Sequence, residues 1–453
     1  MKIINPATEE IIAQLPEDTE LSVSEKLQKL RAGQKSWAET SVAKRLAVIV
    51  KFGELVVENK EKLAQILTSE TGKPITQARG EVTGSLNRIE HLNTSAEKWL
   101  AEEPVISGQI NEAVRYEPLG VIANISAWNF PYNVGYNVFL YALVAGNAVL
   151  YKPSEYASLT GLKFKELLEK AGLPENVFEV VIGAGKEGQY VLDADLDGYF
   201  FTGSYKTGVH IAQAVAHKLV PVQLELGGKD PLYIMDDIPD IKQAAINAAE
   251  GAFYNNGQSC CAVERIYVQK AVYEEFVKYF IEEVKSYKVG DPALEATFCG
   301  TLTRSQQIDV ILDQVKDATQ KWATVVLGGD RPSGKGYYLN PTILTNVNHE
   351  MRLMKEESFG PVIGIQKVGS DEEAAELMND TAYGLTAAVF SKSEERARKV
   401  LDQMNVGTVY WNCCDRVSPG TPWSGRKNSG LGSTLSYQGI RAFTQPKSYQ
   451  MRG

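Results

Sequence analysis

Over its first hundred residues the chain carries apolar positions at helical spacing between many charged side chains. The stretch from Ser41 to Asn59 shows this most clearly, because its small or apolar residues recur every three or four positions. These residues are Leu46, Ile49, Val50, Gly53, Val56 and Val57. The pattern predicts an N-terminal segment that is charged and mostly helical.

A polar, alternating stretch over residues 105–116, centred on Gly108, predicts a β-hairpin or a similar excursion. After it, short apolar runs alternate with helical segments. The predicted strands are Val121–Ser126, Ala148–Tyr151, Val177–Ile182, Tyr199–Thr202 and Val222–Leu226. Leu162–Ala171 is predicted to be a helix that ends at Gly172 and Pro174. Short apolar strands separated by helices indicate a parallel sheet covered on both faces.

A second series of elements follows Gly228. Ile241–Ala252 is predicted to be a helix whose alanines share one face, which permits close packing. The predicted strands of this series are Arg265–Val268, Thr324–Leu327 and Val362–Gln366. We therefore predict an α/β protein with a domain boundary near Gly227–Gly228. Its C-terminal tail is predicted to be extended and to pair with a neighbouring subunit.

The composition is that of a globular protein, with 44% hydrophobic and 23% charged residues, and 453 residues predict two or three domains. The net charge of −9 argues against nucleic acid or an anionic membrane as the main partner. We see no signal peptide and no apolar run of membrane-spanning length. Five cysteines, an odd number, favour a reducing cytoplasm over a disulfide framework. Four scattered histidines lack metal-ligand spacing, so no metal site is predicted.

The segment FYNNGQSCCA, from Phe253 to Ala262, presents Cys260 as a candidate nucleophile. A thiol attacks carbon as the thiolate, and Gly257 permits a tight turn among amide dipoles that would stabilise that anion. The alternative is that Cys260 is a small buried residue, as free cysteines usually are. Glu225 favours the nucleophile, because this carboxylate lies in an apolar run 35 residues earlier, where burial is costly without a function.

Two glycine-rich segments are candidates for dinucleotide binding. A GxGxxG pattern at Gly183, Gly185 and Gly188 follows a predicted strand, but such turns are as often structural. The segment FTGSYKTG is the stronger candidate, because the backbone amides at the start of its predicted helix would bind a diphosphate. Its candidate binding residues are Gly203, Ser204 and Gly208.

Lys152 and Glu155 lie in YKPSE, at the carboxyl end of the second predicted strand, where open α/β sheets bind ligands. A carboxylate there can accept hydrogen bonds from the adenosine ribose and would repel a 2′-phosphate. NAD is therefore favoured over NADP, although NADP remains an alternative. The competing interpretation of Lys152 and Glu155 is a solvated surface pair.

Together these motifs resemble those of the aldehyde dehydrogenase superfamily, in its non-acylating branch. The resemblance covers essentially the whole chain, because the motifs occur in the family's order. They are SAWNFP (126–131), YKPSE (151–155), FTGS (201–204), LELGG (224–228), GQSCC (257–261), EESFGPV (356–362) and GRKNSGLG (425–432). The resemblance implies a Rossmann-like cofactor domain (1–99 and 118–226), an α/β catalytic domain (227–427) and a small β oligomerisation element (100–117 and 428–453). A homodimer or homotetramer is expected.

The resemblance implies NAD-dependent oxidation of an aldehyde to its carboxylic acid. Cys260 would attack the aldehyde to give a thiohemiacetal, and the Asn129 side-chain amide with the Cys260 N–H would stabilise its oxyanion. Loss of hydride would leave a thioester, and Glu225 would activate water to release the acid. The further cofactor-binding positions that it implies are Trp128, Ser154, Glu357 and Phe359.

The substrate positions depart from familiar branches. Asn137 and Tyr254, eight residues after Asn129 and six before Cys260, stand where relatives acting on succinic semialdehyde typically carry arginine. Trp423 matches one wall of the aromatic box of betaine aldehyde enzymes. The other residues assigned to the substrate pocket are Asn133, Ser259, Cys261 and Arg416. Of these, Arg416 would either recognise an anionic tail, as in a semialdehyde dehydrogenase, or lie free on the surface.

Two further hypotheses stay open. A CoA-acylating aldehyde dehydrogenase would pass the acyl group to CoA, although that branch commonly lacks the Glu225 base. A non-enzymatic binding protein on the same scaffold would be expected to lose Cys260, Asn129 or Glu225, and all three are present.

Overall fold

The N-terminal part of the chain is mostly helical, as the spacing predicts. The structure, a computed structural model, describes residues 1–107 and 110–451, so the predicted turn residue Gly108 lies outside the described residues. The elements are β1 (Lys2–Ile4), β2 (Ile11–Gln14), α1 (Glu20–Glu39), α2 (Val42–Glu58), α3 (Lys60–Thr71), α4 (Ile75–Gly84), α5 (Asn87–Leu100), β3 (Glu103–Ser107) and β4 (Ile110–Pro118). Helix α2 begins after Ser41, whose side chain accepts a hydrogen bond from the Lys44 N–H and caps the helix.

The first large sheet forms where the short apolar runs were predicted. Its elements are β5 (Val121–Ser126), α6 (Pro131–Ala145), β6 (Ala148–Pro153), α7 (Ser158–Lys170), β7 (Phe178–Val180), α8 (Gly185–Asp193), β8 (Gly198–Thr202), α9 (Tyr205–Val215) and β9 (Val222–Glu225). These five strands are parallel, in the order β9-β8-β5-β6-β7. The strand order reverses between β5 and β8, which opens a crevice at their carboxyl ends.

The second large sheet follows directly. Its part of the chain contains β10 (Asp230–Ile234), α10 (Ile241–Phe253), β11 (Val263–Gln269), α11 (Tyr273–Ser286), α12 (Gln306–Gln320), β12 (Thr324–Leu327), β13 (Thr342–Thr345), β14 (Val362–Val368), α13 (Asp371–Asn379), β15 (Tyr383–Gly384), β16 (Thr386–Phe390), α14 (Glu394–Leu401) and β17 (Thr408–Trp411). The sheet has the order β12-β13-β14-β11-β10-β16-β17 and is parallel except for β12. The two parallel sheets confirm the predicted α/β class.

The C-terminal segment contributes to three different sheets. It contains β18 (Arg426–Lys427), β19 (Gly430–Leu431), α15 (Ser436–Arg441) and β20 (Thr444–Met451). Strand β18 pairs with β15, and β19 forms the antiparallel edge of the first large sheet beside β9. The extended tail is β20, which pairs along its length with β4 of the same chain in the sheet β20-β4-β3. In the described part of the excursion, β3 and β4 pair antiparallel, whereas pairing of the tail with a neighbouring subunit stays a prediction.

Three apolar cores hold these layers together. One joins the N-terminal helices to the first sheet, and the other two cover the faces of the second sheet. Within the part of the chain that the structure describes, no helix has the length and hydropathy needed to cross a bilayer.

Candidate active site

The site lies where the carboxyl edge of the first sheet meets the amino edge of the second. Glu225 is the last residue of β9. Cys260 comes just before β11, and Glu357 and Phe359 come just before β14. The motifs are distant in sequence, but the two sheet edges bring them to one place.

A strained turn presents Cys260. The 3₁₀ turn Tyr254–Gly257 holds Asn255, Asn256 and Gly257 in succession at φ values of 53°, 55° and 68°. Glycine is required at position 257, because a Cβ there would collide with the carbonyl oxygen of Gly360 in EESFGPV. The turn can therefore lie directly against the segment that carries Phe359.

The paired glycines of LELGG also allow two segments of backbone to pack closely. A Cβ on Gly228 would come within 2.7 Å of the Cys260 carbonyl oxygen, and one on Gly227 would overlap the Glu357 carboxylate. The Gly228 N–H also donates to Glu357 Oε1 at 3.1 Å. The glycines thus allow the link between the two sheets to lie against both Cys260 and Glu357.

Two cavities, of about 560 Å³ and about 510 Å³, meet at Cys260. We call the larger the cofactor cleft and the smaller the substrate pocket. Asn129 and Cys260 line both, and of the residues that the structure describes no other lines both. Glu225 lines the cofactor cleft. Both volumes lie in the range typical of small-molecule sites.

The cofactor cleft contains all but one of the cofactor-binding residues predicted from the sequence. Those on its wall are Trp128, Lys152, Ser154, Glu155, Gly203, Ser204, Glu357 and Phe359. Gly208 is the predicted residue that does not line the cleft. It lies in α9 away from the cleft, and a Cβ there would come within 2.6 Å of Leu226, so this glycine serves packing of α9 against the sheet.

Several features of the cleft suit a dinucleotide. The first turns of α8 and α9 reach its wall at Gly185 and Ser204, and helix N-termini attract phosphate. The Lys152 ammonium, which donates to the Gly183 carbonyl at 2.9 Å, lies on the same wall. Arg304 also lines the cleft, and its buried Nε has no hydrogen-bond partner in the described structure.

Phe359 is fixed by a buried cluster behind it. Its ring packs edge-on against Trp128 with 5.6 Å between centroids, and its N–H donates to Glu264 Oε1 at 2.9 Å. Lys229 forms a buried ion pair with Glu264 at 2.7 Å. An aromatic wall beside the cleft is thereby held in one position.

Buried hydrogen bonds hold Asn129 beside the turn that precedes Cys260. Its Nδ2 donates to the Gln258 carbonyl at 3.1 Å. The backbone carbonyl of Asn129 accepts hydrogen bonds from Lys73 Nζ at 2.8 Å and from Asn255 Nδ2 at 3.1 Å. Lys73 in turn forms a buried ion pair with Glu81. Because one N–H of the amide is already engaged, the other is free to face the cavities.

Glu225 is buried and weakly solvated. Its Oε1 accepts only long hydrogen bonds, at 3.4 Å, from Gln223 and Thr434, and its Oε2 has no partner in the described structure. Burial raises the pKa of Glu225 to about 8. The group can therefore exchange a proton near neutral pH, as a general base requires.

The residues on either side of Cys260 are held by one acid. Cys261 Sγ donates to Asp415 Oδ1 at 2.9 Å, and Ser259 Oγ donates to the same oxygen at 3.4 Å. The adjacent Cys260 thiol and burial together raise the pKa of Cys261 well above its usual range. Cys261 therefore stays a thiol, and Cys260 is the better placed nucleophile of the two.

The substrate pocket brings together all seven residues that the sequence assigns to it. They are Asn133, Asn137, Tyr254, Ser259, Cys261, Arg416 and Trp423. Tyr254 stacks on Phe130 with 6.4 Å between ring centroids, which gives the pocket an aromatic side. Asn137 does not face the pocket alone, because its Oδ1 accepts a 2.6 Å hydrogen bond from Arg88.

Sequence reasoning missed several charged residues of the site, among them Lys73, Arg88, Arg304 and Asp415. Arg88 and Lys73 come from the N-terminal helical segment, where a single charged residue is typical of a solvated helix face. Asp415 directly follows Cys413–Cys414 and precedes Arg416, and this run of reactive residue types was the one local signal available.

Comparison with known proteins agrees with this geometry. Residues 1–449 match the model of the aldehyde dehydrogenase family. The chain is 35% identical to the chloroplastic betaine aldehyde dehydrogenase of Amaranthus hypochondriacus, with 98% of this chain and 91% of that protein covered. It is 36% identical to aminoaldehyde dehydrogenase 2 of Solanum lycopersicum, with the same coverage. The crystal structure of betaine aldehyde dehydrogenase from Staphylococcus aureus in complex with NAD⁺ superposes with a TM-score of 0.96 at 30% identity, covering 100% of this chain and 92% of that one.

Proposed function

Because the chain belongs to the aldehyde dehydrogenase family, we propose that it oxidises a small aldehyde to the carboxylic acid with NAD, through a covalent bond to Cys260. One observation carries the proposal. Cys260 and the Asn129 amide stand at the junction of two cavities, one with helix N-termini suited to phosphate and one with a mixed aromatic and polar wall. An aldehyde and a dinucleotide can therefore reach the same sulfur from opposite sides.

The residues of the junction account for each bond change. The Cys260 thiolate adds to the aldehyde carbon, and the free N–H of Asn129 stabilises the negative charge that develops on oxygen. Collapse of this adduct expels hydride and leaves a thioester on Cys260. Glu225 as a carboxylate takes a proton from water, which attacks the thioester carbon and frees the acid and the thiol.

The cleft residues fit NAD as the hydride acceptor. The N-terminal turns of α8 and α9 with Lys152 would hold phosphate and ribose, and Phe359 would flank the nicotinamide ring. Bound there, the nicotinamide supplies the acceptor for the hydride. The relative from Staphylococcus aureus in complex with NAD⁺ supports this assignment.

The carboxylate of Glu155 should favour NAD over NADP. It lies on the cleft wall beside Ser154, whose hydroxyl donates to it at 3.1 Å. We expect Glu155→Gln to reduce the ratio of kcat/KM for NAD to that for NADP by about tenfold, because a like charge beside the 2′-phosphate is removed. Glu169→Gln, near the end of α7 and not on the cleft wall, removes an equal charge and should leave the ratio unchanged. An unchanged ratio in Glu155→Gln would show that another group selects the cofactor, and equal kcat/KM for the two cofactors in the native enzyme would show that Glu155 does not discriminate between them.

Oxidation to the free acid is tested by supplying purified protein with aldehyde and NAD in the absence of CoA. We expect sustained NADH formation and one equivalent of acid per NADH, because Glu225 provides the base for hydrolysis. A single turnover that becomes continuous only when CoA is added would instead establish the CoA-acylating reaction. No NADH from any aldehyde would refute the proposed activity.

The surface of the hairpin sheet and the state of the cysteines bear on assembly and location. We propose a homodimer or homotetramer joined through the sheet β20-β4-β3, which presents an edge strand on the surface. All five cysteines are free thiols, which suits the cytoplasm.

A further inference from the structure

The substrate pocket contains a buried cation that the sequence motifs did not reveal. Arg88 lies on α5, and its side chain lines the pocket that also contains Cys260. The residue is only 3% exposed. A guanidinium this deep is costly to bury, so the groups around it indicate its function.

The partners of Arg88 are neutral. Its Nε donates to Asn137 Oδ1 at 2.6 Å, and its Nη1 donates to Asn87 Oδ1 at 3.0 Å. In the described part of the chain no carboxylate lies within ion-pair distance of it, and Nη2 has no acceptor. Burial lowers the pKa of Arg88 to about 10, so it is still a cation at neutral pH. Two amides hold the guanidinium in place without neutralising its charge.

The acidic groups of the pocket are engaged elsewhere or exposed. Glu81 is paired with Lys73, and Asp415 Oδ1 accepts from Cys261 and Ser259. Glu250 is exposed, as is Arg416, the cation that the sequence suggested for an anionic tail. Water screens an exposed charge strongly, whereas a buried one acts at full strength on a ligand that displaces water. Arg88 is therefore the stronger electrostatic determinant of this pocket.

The hydrogen bond from Arg88 places a positive charge beside Asn137. Asn137 lies in α6 and carries no charge of its own. The structure brings a guanidinium to the same place from α5 instead, because Asn137 accepts its hydrogen bond. The charge is supplied by a different element.

We propose that the substrate is an aldehyde with a carboxylate at its far end, and that Arg88 binds this carboxylate while Cys260 holds the aldehyde carbon. The inference rests on the proposed aldehyde oxidation. A cationic aldehyde, of the kind named for the relatives from Amaranthus hypochondriacus and Staphylococcus aureus, would place an ammonium against Arg88 and is disfavoured. The aromatic side formed by Tyr254 and Phe130 then packs on the chain between the two ends.

The experiment compares three series of aldehydes of matched and increasing length, with carboxylate, methyl or trimethylammonium ends. We expect the native enzyme to show kcat/KM at least about tenfold higher for the best carboxylate-ended aldehyde than for its methyl-ended counterpart, mainly through KM. The trimethylammonium series should be the poorest. If the methyl-ended or trimethylammonium series is preferred, the inference is wrong although aldehyde oxidation stands. If no series is oxidised, the proposed function itself fails.

Variants then assign the preference to one residue. Arg88→Gln should lower kcat/KM for the carboxylate series about 100-fold and change that for the methyl series little, because a charge-assisted contact is lost. Arg88→Lys should recover part of the preference and keeps the charge if Arg88→Gln folds poorly. Arg398→Gln, which removes a surface charge on α14, is the control. If Arg416→Gln removes the preference and both Arg88 variants retain it, the carboxylate binds at Arg416 and the inference is overturned.

Discussion

Cys260→Ala is expected to abolish aldehyde oxidation, with a loss of at least about 10⁴-fold in kcat, while NAD binding is retained. The thiolate forms the only covalent bond to substrate in the proposed reaction, so no other step can proceed without it. The side chain is partly exposed at the junction of the two cavities, and its removal leaves the cofactor cleft intact. Steady-state and single-turnover NADH formation, with NAD binding followed by fluorescence titration, measure the two effects separately.

The adjacent thiol provides the matched control for this prediction. Cys261 donates to Asp415 and is held as a thiol, so Cys261→Ser should still give an NADH burst. Activity that survives Cys260→Ala but disappears in Cys261→Ser would place the nucleophile at the second cysteine.

Glu225→Gln is expected to keep the first turnover and lose the later ones. Thioester formation does not need the base, so a burst of about one NADH per site should remain. The steady-state rate should fall about 100-fold to 1,000-fold, because water then attacks without proton removal. Rapid-mixing measurements of NADH resolve the two phases, and mass spectrometry should detect the acyl group retained on Cys260.

The pH dependence gives the same prediction a second readout. A base acts only when deprotonated, and burial raises the pKa of Glu225 to about 8. The native steady-state rate should therefore rise with pH up to about 8 and then level, and Glu225→Gln should flatten this rise. If burst and steady state fall together in the variant, or if the rise persists in it, Glu225 is not the base for hydrolysis.

The backbone architecture was largely predictable, because its signals are local. Val121–Ser126 and Thr324–Leu327 form strands with the predicted ends, and the helix predicted at Ile241–Ala252 extends by one residue to Phe253. The strand ends were predicted less well elsewhere, since the apolar run Val177–Ile182 has ladder partners only over Phe178–Val180. Period and turn residues suffice for elements of this kind.

The site was predictable only where a motif carried it. Cys260, Asn129 and Glu225 stand in short segments whose residue types are unusual for their setting. Arg88 has no such signal, because its function depends on Asn137, which lies 49 residues later on another helix. Gly208 shows the opposite error, since a glycine at a helix start suggests phosphate binding but here faces Leu226. Which side of a helix a residue occupies follows from tertiary packing, and no local pattern records it.

Asn129 and Cys260 separate the two cavities from each other. Because the two cavities are lined by different residues apart from these two, an aldehyde and a dinucleotide can occupy them at the same time. An inhibitor that fills only the substrate pocket would therefore compete with the aldehyde and not with NAD. An electrophilic inhibitor that modifies the Cys260 sulfur could, by contrast, approach from either cavity.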